Sequence, residues 1–262
     1  MPARSLSEKK APLVGAFFVI GLYWLPAQAQ NCAAPPQAHG VEIRHVHDGD
    51  TVTLDDDTRV RLIGINAPEV AHDGKPAQPL ANRARDQLRT LLREHGNRVT
   101  LLDGRQPKDQ YGRTLAHLWL SDGTDVTAEL LGAGLGWLVA IPPNTRFTEC
   151  RKQAEAQARK ARRGVWAEGV YPAQVSDSLS PRSRGFQRVR GRVTRVSRGG
   201  GATWVNLAGD FAIRIPDQDL KEFTERPSAR WIGRELEVRG WVYKVRGQLR
   251  VTVGHPANLQ LL

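Results

Sequence analysis

The feature that most constrains this chain is its punctuation: apolar residues come in short runs that stop at Gly, Asp or Pro. Val41 to Ile65 reads as strands, interrupted at Asp55-Asp56-Asp57-Thr58 by a solvated hairpin turn. Val99 to Leu102 and Thr114 to Leu120 read as further strands. Side chains on a strand alternate between two faces, so strands this short need a second layer or a closed barrel to bury one of them. Three stretches break the pattern. Pro79 to His95 places Leu80, Ala84, Leu88, Leu91 and Leu92 on one helix face, with Gly96 as the stop. Val126 to Ala133 predicts a short helix, and Phe147 to Arg163 a longer basic one ended by Gly164. The expected class is mainly β with α (α+β): a five-stranded barrel with three helices over residues 41–169.

A second set of strands follows. Pro172 to Gly185 is rich in Ser, Pro and Arg, so residues 170–187 read as a linker. Beyond it Arg188, Arg190 and Arg192 alternate with Val189, Gly191 and Val193, giving one basic and one apolar strand face. Trp204 to Leu207, Phe211 to Ile215, Leu236 to Val245 and Leu249 to Val253 complete five strands with little helix. Residues 188–262 are expected to form a second small β-barrel. Trp204, Trp241 and Tyr243 are weighed there as stacking platforms for bases against a role in the core.

Two polar clusters carry the chemistry. One is His47-Asp48-Gly49-Asp50-Thr51 with Arg61 to Glu69; the other is Asp109-Gln110-Tyr111-Gly112-Arg113. Asp50, Asn66 and the carbonyl of Ala67 are hard oxygen donors, which suit Ca²⁺ or Mg²⁺ better than zinc or copper. Arg61 and Arg113 each offer a planar fork of donors to phosphate oxygens. Glu69 is a carboxylate placed to orient or deprotonate water. Gly49 and Gly112 let the backbone turn tightly beside these groups. Lys and Arg number 38 against 27 Asp and Glu, a net charge of +11 that favours polyanionic partners. His45 and His47 read as solvent-facing or hydrogen-bonded before a transition-metal site. No phosphate-cradling glycine loop or nucleophile elbow is present.

These motifs resemble the staphylococcal-type (thermonuclease-like) nuclease family: Asp48-Gly49-Asp50-Thr51, Arg61 through Pro68-Glu69, and Asp109 through Tyr111-Gly112-Arg113, in the family's order and spacing. Glu155-Ala156-Gln157-Ala158 through Gly164-Val165-Trp166 is similar to its last helix and closing tryptophan. The resemblance covers about residues 41–167 and implies an OB-type barrel and hydrolysis of DNA or RNA to a 3′-phosphate and a 5′-hydroxyl. It implies that Asp50, Asn66 and Ala67 hold Ca²⁺, with Mg²⁺ or Mn²⁺ as possible substitutes. It gives Arg61 and Arg113 the scissile phosphate, Glu69 the general base, Tyr111 the nucleotide pocket, and Asp48 and Asp109 supporting roles. Two departures stand out: Asn66 replaces an aspartate of the family type, and the apolar stretch around Trp137 replaces a tyrosine pair, leaving Trp137 as the substitute for stacking. The C-terminal unit loosely resembles bacterial OB-type modules. The rival reading is a nucleic-acid-binding protein without catalysis.

Residues 1–29 read as a signal peptide: Arg4, Lys9 and Lys10, an apolar run from Ala11 to Leu25, then Ala27-Gln28-Ala29 as the cleavage site. The mature chain is expected to begin at Gln30, with 30–40 as a lead-in, and to be periplasmic or secreted. The apolar run is short beside the roughly 20 residues of a membrane span, so no stable insertion is expected after cleavage. Cys32 and Cys150 both follow the cut, and export favours a disulfide between them over two unpaired thiols. Their spacing does not suit a structural zinc.

Overall fold

The computed structural model describes Met1 and residues 32–262; apart from Met1, the expected signal peptide and cleavage site lie outside the described residues. The first half is built from strands β1 (His39–Val46), β2 (Thr51–Leu54), β3 (Arg59–Leu62), β4 (Ile65–Asn66), β5 (Arg98–Lys108) and β6 (Thr114–Leu120). β1, β2, β3, β6 and β5 close, in that order, into a barrel. All its pairings are antiparallel except β3 with β6. This is the expected OB-type barrel. β5 runs past the expected end at Leu102 because, after a break in register following Asp103, it pairs again at Lys108 with Thr114. Its exposed end thereby delivers the Asp109–Arg113 turn.

Helix α1 (Ala81–Glu94) buries Ala81, Ala84, Leu88 and Leu92 against the barrel. Each buried leucine contributes about 1.5–3 kcal/mol. Leu80, expected on that face, is instead the residue preceding the helix, with a left-handed φ of 67°. Helix α2 (Val126–Gly132) starts at Asp125, whose side chain accepts from Ala128 N–H. Strand β7 (Trp137–Leu138) pairs with β4, and helix α3 (Thr148–Lys160) follows, then a 3₁₀ turn at Gly164–Trp166.

Arg151 of α3 is 1% exposed and ties these pieces together. It donates to Asp125 at 2.8 Å, to the Ile63 carbonyl at 2.8 Å and to His117 Nδ1 at 2.9 Å. Such a charge is tolerable inside only when fully partnered. Its Nη1 would lie 2.6 Å from any Cβ at position 64, where φ is +94°, so Gly64 meets both a steric and a backbone demand. Burial, with Arg151 and Arg146, holds His117 down at about 2, as its acceptor role requires.

The second half repeats the barrel. β9 (Gly185–Gly199), β10 (Ala202–Leu207), β11 (Phe211–Pro216), β13 (Gln248–Thr252) and β12 (Glu235–Val245) close in that order, again with one parallel pair, β11 with β13. Where the first barrel has α1, the second has 3₁₀ segments that bring Leu220, Phe223 and Trp231 into an apolar core. Edge strand β14 (Leu259–Leu261) pairs with β12. The stretch expected to be a linker is packed: β8 (Gln174–Val175) runs parallel to β9, and buried Ser176 donates to the Ala208 carbonyl at 2.5 Å. Its polar composition hid this because the pairing is between backbone atoms.

Buried polar bonds join the halves. Arg239 of β12 forms a two-pronged pair with Glu155 of α3 at 2.7 and 2.8 Å, and Glu155 also accepts from Leu138 N–H at 2.7 Å. Asn258 exchanges two hydrogen bonds with the Ala140 backbone. Cys32 and Cys150 form a disulfide with Cα atoms 5.9 Å apart, pinning the first described residues to α3. No helix among the described residues is long and apolar enough to cross a membrane.

Candidate active site

The β1–β2 turn is shaped by its own acids. Asp50 N–H donates to Asp48 Oδ1 at 2.8 Å, the local bond that makes Asp a turn residue. A Cβ on Gly49 would lie 2.6 Å from Ala84 Cβ and 2.7 Å from Ala67 Cβ. Glycine is therefore needed here for close approach to α1. At Gly112, φ is +79° and the demand is conformational.

Asp50 is 4% exposed. Its Oδ2 accepts from Ala67 N–H at 2.6 Å, and its Oδ1 faces Thr51 Oγ1 at 3.1 Å and Arg61 Nε at 3.0 Å. Arg61 reaches it because β2 and β3 pair with Thr51 opposite Arg61. Arg61 Nη1 is bound to the carbonyls of Leu62 and Ile65 at 2.7 and 2.8 Å, which fixes the guanidinium. Its Nη2 has only a long contact of 3.4 Å to Asn66 Oδ1. Burial, partly opposed by Arg61 and reinforced by Asp48, pushes the Asp50 carboxyl up to about 7.

Glu69 is held by a two-way clasp: its N–H donates to Gln78 Oε1, and Gln78 N–H donates to its carbonyl, both at 2.9 Å. Burial and then Asp50 raise its carboxyl above the ordinary range, against the pull of Arg61, His72 and Arg113. In the β5–β6 turn, Asp109 accepts from the backbone of Tyr111 and Arg113 at 2.9 and 3.0 Å, and from Arg113 Nε at 2.7 Å. Burial pushes Asp109 up, but those bonds outweigh it and hold the carboxyl low. Arg113 Nη1 and Nη2 have no hydrogen-bond partner among the described residues, and Tyr111 is 75% exposed with Arg113 Cζ 5.5 Å from its ring centre.

Arg61, Asn66, Glu69, Tyr111 and Arg113 line one open cleft of about 1420 Å³. Asp50 and Ala67 lie directly behind it, bonded to each other, with Asp50 paired to Arg61. The candidates from distant parts of the sequence are thus brought together. The oxygen donors of Asp50, Asn66 and the Ala67 carbonyl are of the kind that a hard dication takes. Asp50 adds a specific reason: one guanidinium does not offset the burial of its charge, and a cation beside it would. Asn66, 6% exposed, presents an amide oxygen on the cleft wall.

Other candidates fall elsewhere. His45 and His47 rings pack at 4.6 Å, and His47 Nε2 bonds Thr53 Oγ1 at 2.7 Å. Trp204 donates to the Gly199 carbonyl at 3.0 Å under Arg250, and Tyr243 bonds Thr252 at 2.9 Å. Neither lines the cleft. Trp137 does, but it is 3% exposed beneath Tyr171 and Phe186, with ring centres 4.7 and 5.2 Å away. It is not free to stack on a base. Residue-by-residue reading missed Gln78, which clasps Glu69, and the far wall from the second barrel, where Phe186 and Arg188 stand with Trp241, a residue weighed for stacking but not placed on this cleft. Only long-range pairing reveals them.

Comparison with known proteins matches the half of the chain that carries this cleft's catalytic candidates. The family described as staphylococcal nuclease homologue matches residues 59–168. The chain is 37% identical over 127 residues to a thermonuclease of Staphylococcus intermedius, covering 47% of this chain and 74% of the relative. It is 35% identical over 130 residues to a thermonuclease of Staphylococcus hyicus, covering 48% and 75%. It is 32% identical over 166 residues to endonuclease YhcR of Bacillus subtilis (strain 168), covering 58% of this chain and 14% of that protein.

Proposed function

This chain belongs to the staphylococcal nuclease homologue family, and from that premise we propose an exported Ca²⁺-dependent nuclease that hydrolyses phosphodiester bonds of DNA, RNA or both. The supporting observation is the convergence of Arg61, Glu69 and Arg113 on one cleft with buried Asp50 behind them. Residues 41–169 form the catalytic unit in this reading, and residues 188–262 a second unit fixed beside it.

Asp50, Asn66 and the Ala67 carbonyl would hold Ca²⁺, which when bound polarises a phosphate oxygen; Mg²⁺ or Mn²⁺ are the possible substitutes. The protein groups have separate tasks. Arg113, its Nε fixed by Asp109, turns its two terminal nitrogens to the phosphate. Arg61, fixed by Asp50 and two carbonyls, adds Nη2. Both donors are in place before charge builds on the phosphoryl oxygens, so little reorganisation opposes their attraction. Glu69 accepts a proton from the water that attacks phosphorus, the bond from phosphorus to the 5′-oxygen breaks, and that oxygen takes a proton from solvent to leave as the 5′-hydroxyl; the raised carboxyl makes Glu69 a better base than an exposed glutamate. Tyr111 packs on the nucleoside next to the cleaved bond.

The test is incubation of the full chain with single-stranded DNA and RNA, with Ca²⁺ or with chelator, followed by end-group analysis. Expected are Ca²⁺-dependent cutting and 3′-phosphate ends. Tight binding without cutting under Ca²⁺, Mg²⁺ and Mn²⁺ alike would overturn the proposal in favour of a binding module.

A further inference from the structure

The cleft has a wall that the proposed chemistry does not use. Trp241 of β12 stands directly across from Phe186 of β9 in the strand register, with ring centres 5.2 Å apart. Phe186 packs in turn on Trp137, and Trp137 on Tyr171. This aromatic row belongs to the same cleft as Arg61, Glu69 and Arg113. Aromatic rings at a seam between two barrels are ordinarily covered. Here Trp137 is buried and Phe186 half-buried, while Trp241 ends the row 44% exposed. Neighbouring Val242 points into the core, as strand alternation demands, so the indole faces outward by construction.

The wall is aromatic rather than phosphate-binding. Its one cation, Arg188, is spent on a two-pronged pair with Glu237 at 2.9 and 3.0 Å, on the Tyr171 carbonyl at 2.9 Å and on the Trp166 ring. Cationic Arg59, Arg61, Lys75 and Arg113, all from the first half, line the same cleft. Cations from one half and an exposed indole from the other match a chain with an anionic backbone and flat unpaired bases.

We infer that Trp241 of the second barrel, supported by Phe186, is a base-stacking subsite for single-stranded nucleic acid in the cleft of the first barrel. The inference rests on the nuclease reading for its substrate. It assigns the C-terminal barrel a role in binding unpaired bases. A base in a duplex has both faces stacked already, so the subsite discriminates single strands from duplex.

The test measures affinity of the full chain for a labelled oligothymidylate and for a blunt duplex, by fluorescence anisotropy in chelator. Stacking of one base on an aromatic ring contributes about 1–3 kcal/mol, so Trp241→Ala should weaken single-strand binding on the order of 10-fold and change duplex binding by less than about twofold. Trp241→Phe should keep most of the affinity. Trp204→Ala, outside the cleft, should change neither. Unchanged single-strand affinity in Trp241→Ala, equal losses for both ligands, or no single-strand binding by the wild type would overturn the inference. Cleavage of the same strand by the wild type in Ca²⁺ is read alongside. Trp241-dependent binding without cleavage fails the nuclease reading and keeps the subsite. Cleavage with Trp241-independent binding fails the subsite alone.

Discussion

The first barrel buries Asp50, His117, Asp125 and Arg151 and sets Arg61 over one of them; the second, with the same strand order, fills its centre with Val205, Phe211, Ile213, Trp231 and Leu236 and keeps Arg190 and Arg192 on its outer face against Glu235. Burial gives a charge a use because it strengthens its interactions and shifts its proton affinity, as at Asp50 and Glu69. Paired at the surface, the same residue types contribute little. In the proposed reading, one connectivity serves once as a reaction site and once as a frame whose aromatic rim completes it. Strand order did not decide between these uses; the placement of a few polar side chains did.

The largest effect expected from breaking this division is at the seam. Arg239→Met leaves Glu155 buried without its partner, and such losses run to about 3–5 kcal/mol. A drop of that size in urea unfolding is expected, with the Leu138 strand loosened because Glu155 also holds its N–H. A change under about 1 kcal/mol would mean that the barrels are joined by the Asn258–Ala140 hydrogen bonds and apolar contacts instead.

A smaller effect is read through pH at His117 of the first barrel. His117 stays neutral in the folded protein down to about 2, whereas free histidine takes up its proton near 6.5. Below 6.5 the unfolded chain binds a proton that the folded chain does not. The stability associated with His117 is therefore complete above 6.5 and is lost as pH falls from there towards 2. The limiting slope is about 1.4 kcal/mol per pH unit. Urea unfolding at pH 7 and pH 5 should show this added acid sensitivity in the wild type and less of it in His117→Gln. Equal pH slopes in the two proteins would show that His117 is protonated without penalty.

Much of this was legible in sequence because it is local. Leu88 and Leu92 repeat at helical spacing, Asp48-Gly49-Asp50 makes its own turn, and Gly112 marks a positive φ. What was not legible is partner choice. Nothing in Pro172 to Gly185 announces β8, since backbone pairing carries no side-chain signature. Nothing near Trp241 says that it will face Phe186 and rise beside Arg61, because that depends on the seam set by Arg239, Glu155 and Asn258. Trp137 was misjudged for the same reason: its neighbours in space, Tyr171 and Phe186, lie far along the chain.

The placement of the chemistry at Glu69 can be tested by single-turnover cleavage of single-stranded DNA in Ca²⁺, wild type against Glu69→Gln, with unfolding midpoints compared. The isosteric amide keeps the shape but gives up proton acceptance, so the rate should fall on the order of 10²–10⁴-fold while affinity and stability stay close to wild type. A Glu69→Gln protein that cuts at the wild-type rate would contradict the proposed site, and the search for the base would move to Asp109 of the cleft and Asp50 behind it.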